Sequence, residues 1–386
     1  MSGQVLSGYK VLDFGQYIAG PYAAMLLAEQ GADVLKIESP NGDPYRTQEG
    51  FKVWNRSKKA IVLDLKKPDG QKVALDLARH ADIVIENYKP DIAEKLGIGY
   101  NVLKEINPRI IYCSISGFGS KGPYSNIPGY EPLISALGSV YTEQGYGAHP
   151  LYIVLPIASY YSAFQAVYAI TVALYVREMI GKGQRVDISM FRSILGAQRI
   201  FMLEFSGRFR VPWGPTGVLP LYRLYQCSDG KWFFLALGNF KFFTKFCLAM
   251  KHEEWLSDPL FEGAPFLILP PRNAKVIAIL KDIFITKPQN FWMNLLIEEG
   301  LPVAPVRPID EFMDDPQVFL NDMLATIDEP GLGKVREMGI PVKMELCQGS
   351  VRCASPSLGQ HSREILTSLG YSTAAINKLM NELVVK

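Results

Sequence analysis

The chain has 386 residues, of which 48% are hydrophobic and 20% charged, so it is long enough to bury a large core. The formal net charge of +2 and the lack of long basic blocks argue against a nucleic-acid-binding protein. The five cysteines are scattered without metal-ligand spacing, so no metal site is expected. The N-terminus lacks an apolar signal core, and the apolar segment Ser159–Ile180 carries polar residues. We therefore expect a cytoplasmic protein with no membrane partner, in which this segment is a buried core helix.

The first part of the chain predicts a β-α-β unit. A strand at Lys10–Phe14 is followed by the turn GQYIAGP, a helix from Pro21 to Gln30 and a strand at Val34–Glu38. Such a unit implies parallel strands joined by a right-handed crossover. The turn is not GxGxxG, which argues against a dinucleotide cofactor.

The same alternation continues to about residue 120. Further strands are predicted at 60–65, 82–86 and 109–116, with helices at 68–80, 92–96 and 102–106. The fold class is therefore α/β with an open parallel sheet, in which ligands bind beyond the carboxyl ends of the strands. The candidate site loops are Gly15–Pro21, Ser39–Arg46, Lys66–Lys67, Asn87–Lys89 and Gly117–Pro123.

Later segments indicate a second, smaller unit. The long apolar helix starts near Pro156 and ends at Gly181-Lys182-Gly183-Gln184, and a strand follows at Arg185–Met190. Tyr222–Cys227 and Lys231–Leu237 flank Ser-Asp-Gly and predict a β-hairpin, with three helices after it. We expect a large domain over 1–205, a small α+β domain over 222–320, and a return to the large domain over 330–386.

Several stretches in fixed order resemble one family, the class III CoA-transferases of the formyl-CoA and carnitine type. They are LDFGQYIAGPYAAMLLAEQGADVLKIE, NRSKKAIVLDLKKPDGQ, ADIVIENYKP, NPRIIYCSISGFGSKGPYS, REMIGKGQRVDISM, EEGLPVAPVRPIDEFMDDPQV and SPSLGQHSREILTSLGY. The resemblance covers nearly the whole chain. It implies an open Rossmann-like large domain, a small α+β domain, and two subunits interlocked like chain links.

The resemblance also implies where coenzyme A binds as the CoA or acyl-CoA substrate, with no permanently bound cofactor. Lys66 matches the adenine end, Asn87 and Tyr88 match residues lining the CoA channel, and Lys95 matches a cation that meets phosphate. Tyr17 and Ile18 match the loop that borders the acyl group, where many members carry a hydrogen-bonding residue at the position of Ile18. Arg46 and Arg56 are further candidate cations.

Two matched positions bear on catalysis. Tyr130 and Glu131 match a second active-site loop, and Tyr130 stands where the related racemases have histidine. Ser159 stands where family transferases carry the aspartate that forms an acyl anhydride and then an aspartyl-CoA thioester. A serine ester is too poor an acyl donor to a thiol for this role, and none of the four histidines is an obvious base for Ser159. We therefore assign no catalytic residue and retain Glu131 as a candidate.

These features predict a CoA-transferase subunit that lacks its own nucleophile. The aspartate would come from a homologous partner subunit, as the resemblance to the aspartate-lacking subunit of two-subunit succinyl-CoA:(R)-benzylsuccinate transferases implies. Succinyl-CoA as donor and benzylsuccinate as acceptor are the corresponding substrates. Two alternatives stay open: a self-sufficient acyl-CoA isomerase or racemase, and a CoA-binding protein without catalysis.

Overall fold

The computed structural model describes residues 4–145, 149–198, 203–207 and 214–386. The chain forms two compact units. The first comprises Met1–Gly138, Val154–Leu203 and Pro316–Lys386, and the second comprises Ser139–Ile153 and Glu204–Asp315. The segment Ser139–Ile153, which lies inside the range 1–205 expected for the large domain, thus groups with the smaller unit.

The described residues contain eleven strands: β1 Lys10–Asp13, β2 Asp33–Glu38, β3 Lys59–Val62, β4 Ile83–Glu86, β5 Ile111–Ser116, β6 Arg185–Ser189, β7 Tyr222–Gln226, β8 Trp232–Ala236, β9 Val303–Pro305, β10 Leu324–Glu329 and β11 Gly333–Met338. The α-helices are α1 Ala19–Glu29, α2 Glu49–Asn55, α3 Pro68–Ala78, α4 Ile92–Lys95, α5 Tyr100–Ile106, α6 Glu131–Leu137, α7 Val140–Gln144, α8 Ile157–Ile180, α9 Met190–Gln198, α10 Phe240–Met250, α11 Arg272–Phe284, α12 Gln289–Glu298, α13 Ile309–Met313, α14 Pro316–Leu320, α15 Ser362–Ser368 and α16 Thr373–Asn381. Two 3₁₀ turns lie at Glu253–Leu256 and Pro259–Phe261.

The first unit is built on a six-stranded parallel sheet in the order β3-β2-β1-β4-β5-β6. This confirms the predicted α/β class, and the order is that of a Rossmann-type sheet. Its central strands are apolar runs buried on both faces, as parallel strands covered by helices require. One face carries a core to which α3, α5 and the C-terminal helices α15 and α16 contribute.

Helix α8 packs on α1 and α9 along one side of the same sheet. Its length and hydropathy would suffice to cross a membrane, and 44% of its most apolar window is buried within the protein. Gly181 ends the helix with a left-handed φ of 73°. The expectation of a fully buried core helix is wrong for one face. That face exposes apolar side chains at helical spacing, which we call the α8 stripe: Tyr161, Phe164, Tyr168, Val172, Tyr175 and Met179.

The second unit contains the predicted hairpin, β7 and β8, extended by β9 into an antiparallel sheet. Helices α10, α11 and α12 close its core, which is rich in phenylalanine and tryptophan. The β10–β11 hairpin belongs to the first unit and was not predicted.

Candidate active site

The sheet order reverses between β1 and β4, which are neighbours although they are separated in sequence. The loops that leave their carboxyl ends therefore diverge and open a crevice, the usual ligand position in such sheets. These loops are Gly15–Ile18 after β1 and Asn87–Pro90 after β4. Two of the predicted site loops therefore lie on either side of the crevice at the switch point.

Asn87 joins the two loops through both ends of its amide. Its Oδ1 accepts from the Gln16 backbone N at 2.7 Å, and its Nδ2 donates to the Gln16 carbonyl at 2.8 Å. Tyr17, which follows Gln16 in the chain, adopts a left-handed φ of 61°, a conformation unfavourable for a tyrosine. Asn87 is therefore a positioning residue for the β1 loop as well as part of the cavity wall.

Buried charges beneath the β1 loop hold its backbone. Lys58 Nζ contacts Asp13 Oδ2 at 2.8 Å and donates to the Pro21 carbonyl at 2.8 Å and to Asn55 Oδ1 at 2.9 Å. Asp13 Oδ1 in turn accepts from the Gly15 backbone N at 2.8 Å. Burial lowers the pKa of Lys58 to about 8, against the opposing effect of the Asp13 carboxylate.

A second buried pair completes this support. Lys36 Nζ donates to the Gly15 carbonyl at 2.9 Å and to Asp43 Oδ2 at 3.0 Å. The other oxygen of Asp43 accepts from the backbone N of Tyr17 at 3.3 Å and of Tyr45 at 2.8 Å. Burial disfavours the charged form of Lys36, but the surrounding carboxylates outweigh it and raise its pKa. Both lysines thus fix the loop that carries Tyr17 and Ile18.

A cavity of about 450 Å³ opens above this loop and brings together most of the predicted site residues. Among the residues described, its wall includes Tyr17, Ile18, Asn87, Tyr88, Tyr130, Glu131 and Ser159. A second cavity of about 380 Å³ is lined by Lys66, and Gln16 and Tyr88 line both. The two cavities therefore adjoin, as a site for one elongated ligand requires.

Glu131 sits at the N-terminus of α8. Its Oε1 accepts from the Ala158 backbone N at 3.0 Å and its Oε2 from the Ser159 backbone N at 2.7 Å. The Ser159 hydroxyl donates to Oε2 at 2.7 Å, and the Ser135 hydroxyl donates to Oε1 at 2.8 Å. A carboxylate here satisfies amides that a helix leaves unpaired and is stabilised by the helix dipole. Glu131 is thus a capping group in the folded chain.

The neighbouring amides of this helix end are also paired, because Ile157 N donates to the Leu155 carbonyl and Tyr160 N to the Pro156 carbonyl. Ser159 is 3% exposed, and its hydroxyl proton is directed to Glu131. Of the cavity-lining residues in the described part of the chain, Glu131 alone is acidic. Ser159, which the sequence resemblance matches to the nucleophile position, therefore presents a hydroxyl whose partner is a carboxylate that accepts from four donors.

The remaining predicted cations lie in different surroundings. Lys66 is exposed beside the second cavity. Lys95 is exposed on α4 and lines neither cavity, although the next residue, Leu96, lines the second. Arg46 is bound to both carboxylate oxygens of Glu38, at 2.7 and 2.5 Å.

Arg56 is fully buried and pairs with Glu29 at 2.5 Å and with Glu337 at 3.2 Å. Because these two ion pairs hold the guanidinium inside the protein, Arg56 has a structural role and is not accessible to a phosphate. Among the residues described, no cluster of three or more histidine, cysteine, aspartate or glutamate side chains is placed to hold a metal ion.

Sequence reasoning missed the buried support residues Asp13, Lys36, Asp43 and Lys58. A signal for two of them was present, because Asp13 and Lys36 interrupt apolar strands of a parallel sheet. Such strands are buried on both faces, so a charge within them must be paired.

A crevice at the switch point of a Rossmann-type sheet, two adjoining cavities and a helix terminus capped by a carboxylate define an α/β protein with a candidate ligand site at the carboxyl ends of its strands. The sequence profile of CoA-transferase family III matches residues 6–362, and the chain belongs to that family.

Relatives with named activities support the same assignment. The chain is 30% identical to the succinyl-CoA–D-citramalate CoA-transferase of Chloroflexus aurantiacus, over 94% of each chain. It is 29% identical to the succinyl-CoA–L-malate CoA-transferase beta subunit of the same organism, over 98% of each chain. A solved structure of a CAIB/BAIF family protein from Brucella suis is 30% identical and superposes with a TM-score of 0.82, over 95% of this chain and all of that one.

Proposed function

We propose that this chain is one subunit of a family III CoA-transferase and that a homologous partner subunit supplies the nucleophilic aspartate. The proposal rests on one contact: the Ser159 hydroxyl donates a hydrogen bond to Glu131 at 2.7 Å. No carboxylate projects from that position, and the nearest one, Glu131, is held by two amides and two hydroxyls. A carboxylate so stabilised is a weak nucleophile.

In the proposed reaction an oxygen of the partner's aspartate attacks the thioester carbonyl of an acyl-CoA. The C–S bond breaks, CoA leaves as a thiolate, and it attacks the resulting anhydride at the aspartyl carbonyl to release the acid. The acceptor carboxylate then attacks the aspartyl-CoA thioester and displaces the CoA thiolate, which leaves a second anhydride. The thiolate attacks the acceptor carbonyl of this anhydride, which gives the new acyl-CoA and frees the aspartate. Each step exchanges one acyl linkage for another, so neither water nor an external reductant is consumed.

Two observations support a two-subunit assembly, one from a relative and one from the surface of this chain. One relative is the beta subunit of a named CoA-transferase, so family members with more than one kind of subunit exist. The α8 stripe is exposed along the helix whose first turn holds Ser159, and covering it would bury a large apolar area. We propose that a second family chain covers it in an interlocked dimer, in the cytoplasm.

The adjoining cavities support CoA binding along the carboxyl ends of β1 to β4. Lys66 would lie at the adenine end, Tyr88 in the middle, and Tyr17 and Ile18 at the acyl end. Lys95 is exposed and remains a proposed phosphate partner. Succinyl-CoA is the proposed donor, since two relatives are named as succinyl-CoA transferases. Benzylsuccinate, which follows from the sequence resemblance alone, is the proposed acceptor.

Expression of the chain alone and together with an aspartate-bearing family member tests this function. The assay follows CoA transfer from succinyl-CoA to added acids by mass spectrometry of the thioesters. We expect transfer only in the co-expressed sample, with loss of transfer when the partner's aspartate is changed to asparagine. Transfer by this chain alone would contradict the proposal.

A further inference from the structure

A third cavity, of about 500 Å³, lies at the carboxyl ends of β4, β5 and β6. Ser114 and Ser116 of β5 line it, whereas Ile115 between them lines the first cavity. Successive side chains of a strand point to opposite faces of a sheet, so the third cavity opens on the face opposite to that of Ile115. The strand registers place Glu86, Ser114 and Asp187 in one row across the sheet, and all three line this cavity.

Glu86 is a buried carboxylate that has no ion-pair partner among the described residues. It is 4% exposed, and it accepts hydrogen bonds from the Tyr88 backbone N, at 2.8 Å, and from the Ser114 hydroxyl. Arg185 also lines the cavity, but its guanidinium is bound to Asp187 at 2.8 Å. Burial raises the pKa of Glu86, although the two hydrogen bonds and the charge of Arg185 oppose the shift. Because buried carboxylates are normally paired with a cation, a ligand ammonium group in the cavity would supply the partner that Glu86 lacks.

Tyr112 provides a second, independent observation. It is 2% exposed and lines the third cavity, and its hydroxyl forms no hydrogen bond with any residue in the described part of the chain. Its ring packs on Tyr100 with centroids 5.8 Å apart. A buried hydroxyl without a partner costs free energy unless a ligand or water satisfies it. Tyr112 and Glu86 therefore both present acceptor oxygens to the same cavity.

The outer wall of the cavity carries charges of opposite sign on its two sides. Asp91 and Glu94, at α4, lie on the side of β4, whereas Arg192 of α9 lies on the side of β6. All three are exposed, and none forms an ion pair with another residue that the structure describes. Lys89, in the loop after β4, offsets one of the negative charges. Because one strand separates β4 from β6, the two sides lie roughly 10 Å apart.

We infer that the third cavity is a second ligand site, which binds a small zwitterion of the amino-acid class. The ammonium group lies at Glu86 and Tyr112, and the carboxylate lies at Arg192. The site goes beyond the proposed CoA transfer and does not depend on it, since the ligand is not a substrate of that reaction. Residues 88–90 line both the first and the third cavity, so the zwitterion contacts the wall of the proposed CoA site without occupying it.

Two variants show whether the binding uses these residues. Tyr112→Phe removes a hydroxyl that has no partner in the described part of the chain, so urea unfolding should be unchanged while the affinity for 5-aminopentanoate falls severalfold. Arg192→Gln should lower the affinity for 5-aminopentanoate to that for pentylamine, which lacks the carboxylate. Arg79→Gln is the matched control, because Arg79 is also exposed and lines none of the three cavities. An unchanged affinity in either Tyr112→Phe or Arg192→Gln contradicts the inference.

Glu86→Gln removes the buried charge and keeps the size of the side chain. We expect this variant to bind 5-aminopentanoate no more tightly than pentanoate, which lacks the ammonium group. Preserved discrimination between these two probes contradicts the placement of the ammonium group at Glu86. If the variant does not fold, Tyr112→Phe and Arg192→Gln still decide the question, because neither removes a hydrogen bond or an ion pair within the described part of the chain.

Calorimetric titration of the full wild-type chain with the same three probes tests the inference most directly. The charged groups of 5-aminopentanoate stand at opposite ends of a five-carbon chain, and pentanoate and pentylamine each lack one of them. We expect 5-aminopentanoate to bind at least tenfold more tightly than either, because each missing charge removes charge-assisted hydrogen bonds. Equally tight binding of pentanoate or pentylamine overturns the inference, as does the absence of detectable binding of 5-aminopentanoate.

Discussion

At the scale of single residues, the contact between Ser159 and Glu131 determines which groups at the N-terminus of α8 are free to react. The two residues are 28 positions apart, and the N-terminus of α8 brings them together. The family resemblance matched Ser159 to the nucleophile position because it follows Ala158 at the start of the predicted long helix. The capping role of Glu131 was not predicted, because it depends on where α6 lies relative to α8, and a sequence pattern does not contain that geometry.

Removal of the Glu131 carboxylate should destabilise the chain. Glu131→Ala leaves two backbone amides and two hydroxyls without their acceptor, which costs about 1.5–3 kcal/mol for bonds to a charged group. Glu131→Gln should cost less, because one carbonyl acceptor remains. Urea unfolding measures both changes, with Glu105→Ala as the exposed control. A Glu131→Ala variant as stable as this control would show that the cap contributes nothing.

Substitution of Ser159 should affect structure more than chemistry. Ser159→Ala removes one hydrogen bond to Glu131, and we expect transfer by the assembled enzyme to stay within about twofold of the wild-type rate. Ser159→Asp places a second carboxylate beside Glu131, so one of the two takes up a proton and no new activity appears. Steady-state kinetics of the two variants check this. A large drop in kcat for Ser159→Ala would assign Ser159 a chemical role.

At the scale of elements, the β1 loop and its buried charges explain how Tyr17 and Ile18 reach the cavity.

The strands β1 to β6 were predicted to within a few residues, since apolar runs between turn residues are a strong local signal. The pairing of Lys58 with Asp13 was not predictable, because it joins the residue before β3 to the last residue of β1, 45 positions apart. The β10–β11 hairpin was missed because few residues of its strands are buried and the strands carry little hydrophobic periodicity.

The contribution of Lys58 to the free energy of unfolding should increase as the pH rises above 8. Its pKa of about 8 in the folded chain is lower than in the unfolded chain, with burial as the leading cause, while Asp13, Lys36 and Asp43 also act on it. Between pH 8 and the ordinary lysine pKa, the unfolded state binds more protons, so this group's contribution to stability rises with pH.

Comparison of the wild type with Lys58→Met isolates that contribution. The difference in unfolding free energy between them should grow in favour of the wild type between pH 8 and pH 10, by at most roughly 1.4 kcal/mol per pH unit. Lys59→Met is the matched control, since Lys59 is exposed and pairs with Glu364 at the surface. A pH-independent difference for Lys58→Met would contradict the assignment.

At the scale of the whole molecule, the α8 stripe links the fold to assembly. The sequence predicted a long apolar helix but assigned all its apolar residues to the core. Local hydropathy does not distinguish a face buried within one chain from a face covered by another. The structure separates the two, because the side opposite the stripe packs on α1 and α9.

A charge in the stripe should weaken association. Tyr168 is 71% exposed in this chain, so Tyr168→Glu should leave its folding intact and shift the assembled protein to a smaller species. Light scattering after size-exclusion chromatography measures the mass. Leu346→Glu, at an apolar residue outside α8 that is 86% exposed, should have no effect. Unchanged mass for Tyr168→Glu would exclude the stripe from the interface.

The central claim is that the covalent step takes place on another chain. Intact-mass spectrometry of the assembly after incubation with an acyl-CoA measures this directly, because the aspartyl-CoA intermediate adds the mass of CoA to the chain that carries it. We predict a CoA adduct on the aspartate-bearing partner and none on this chain. An adduct on this chain, located to Ser159 or Glu131 by peptide mapping, would contradict the account.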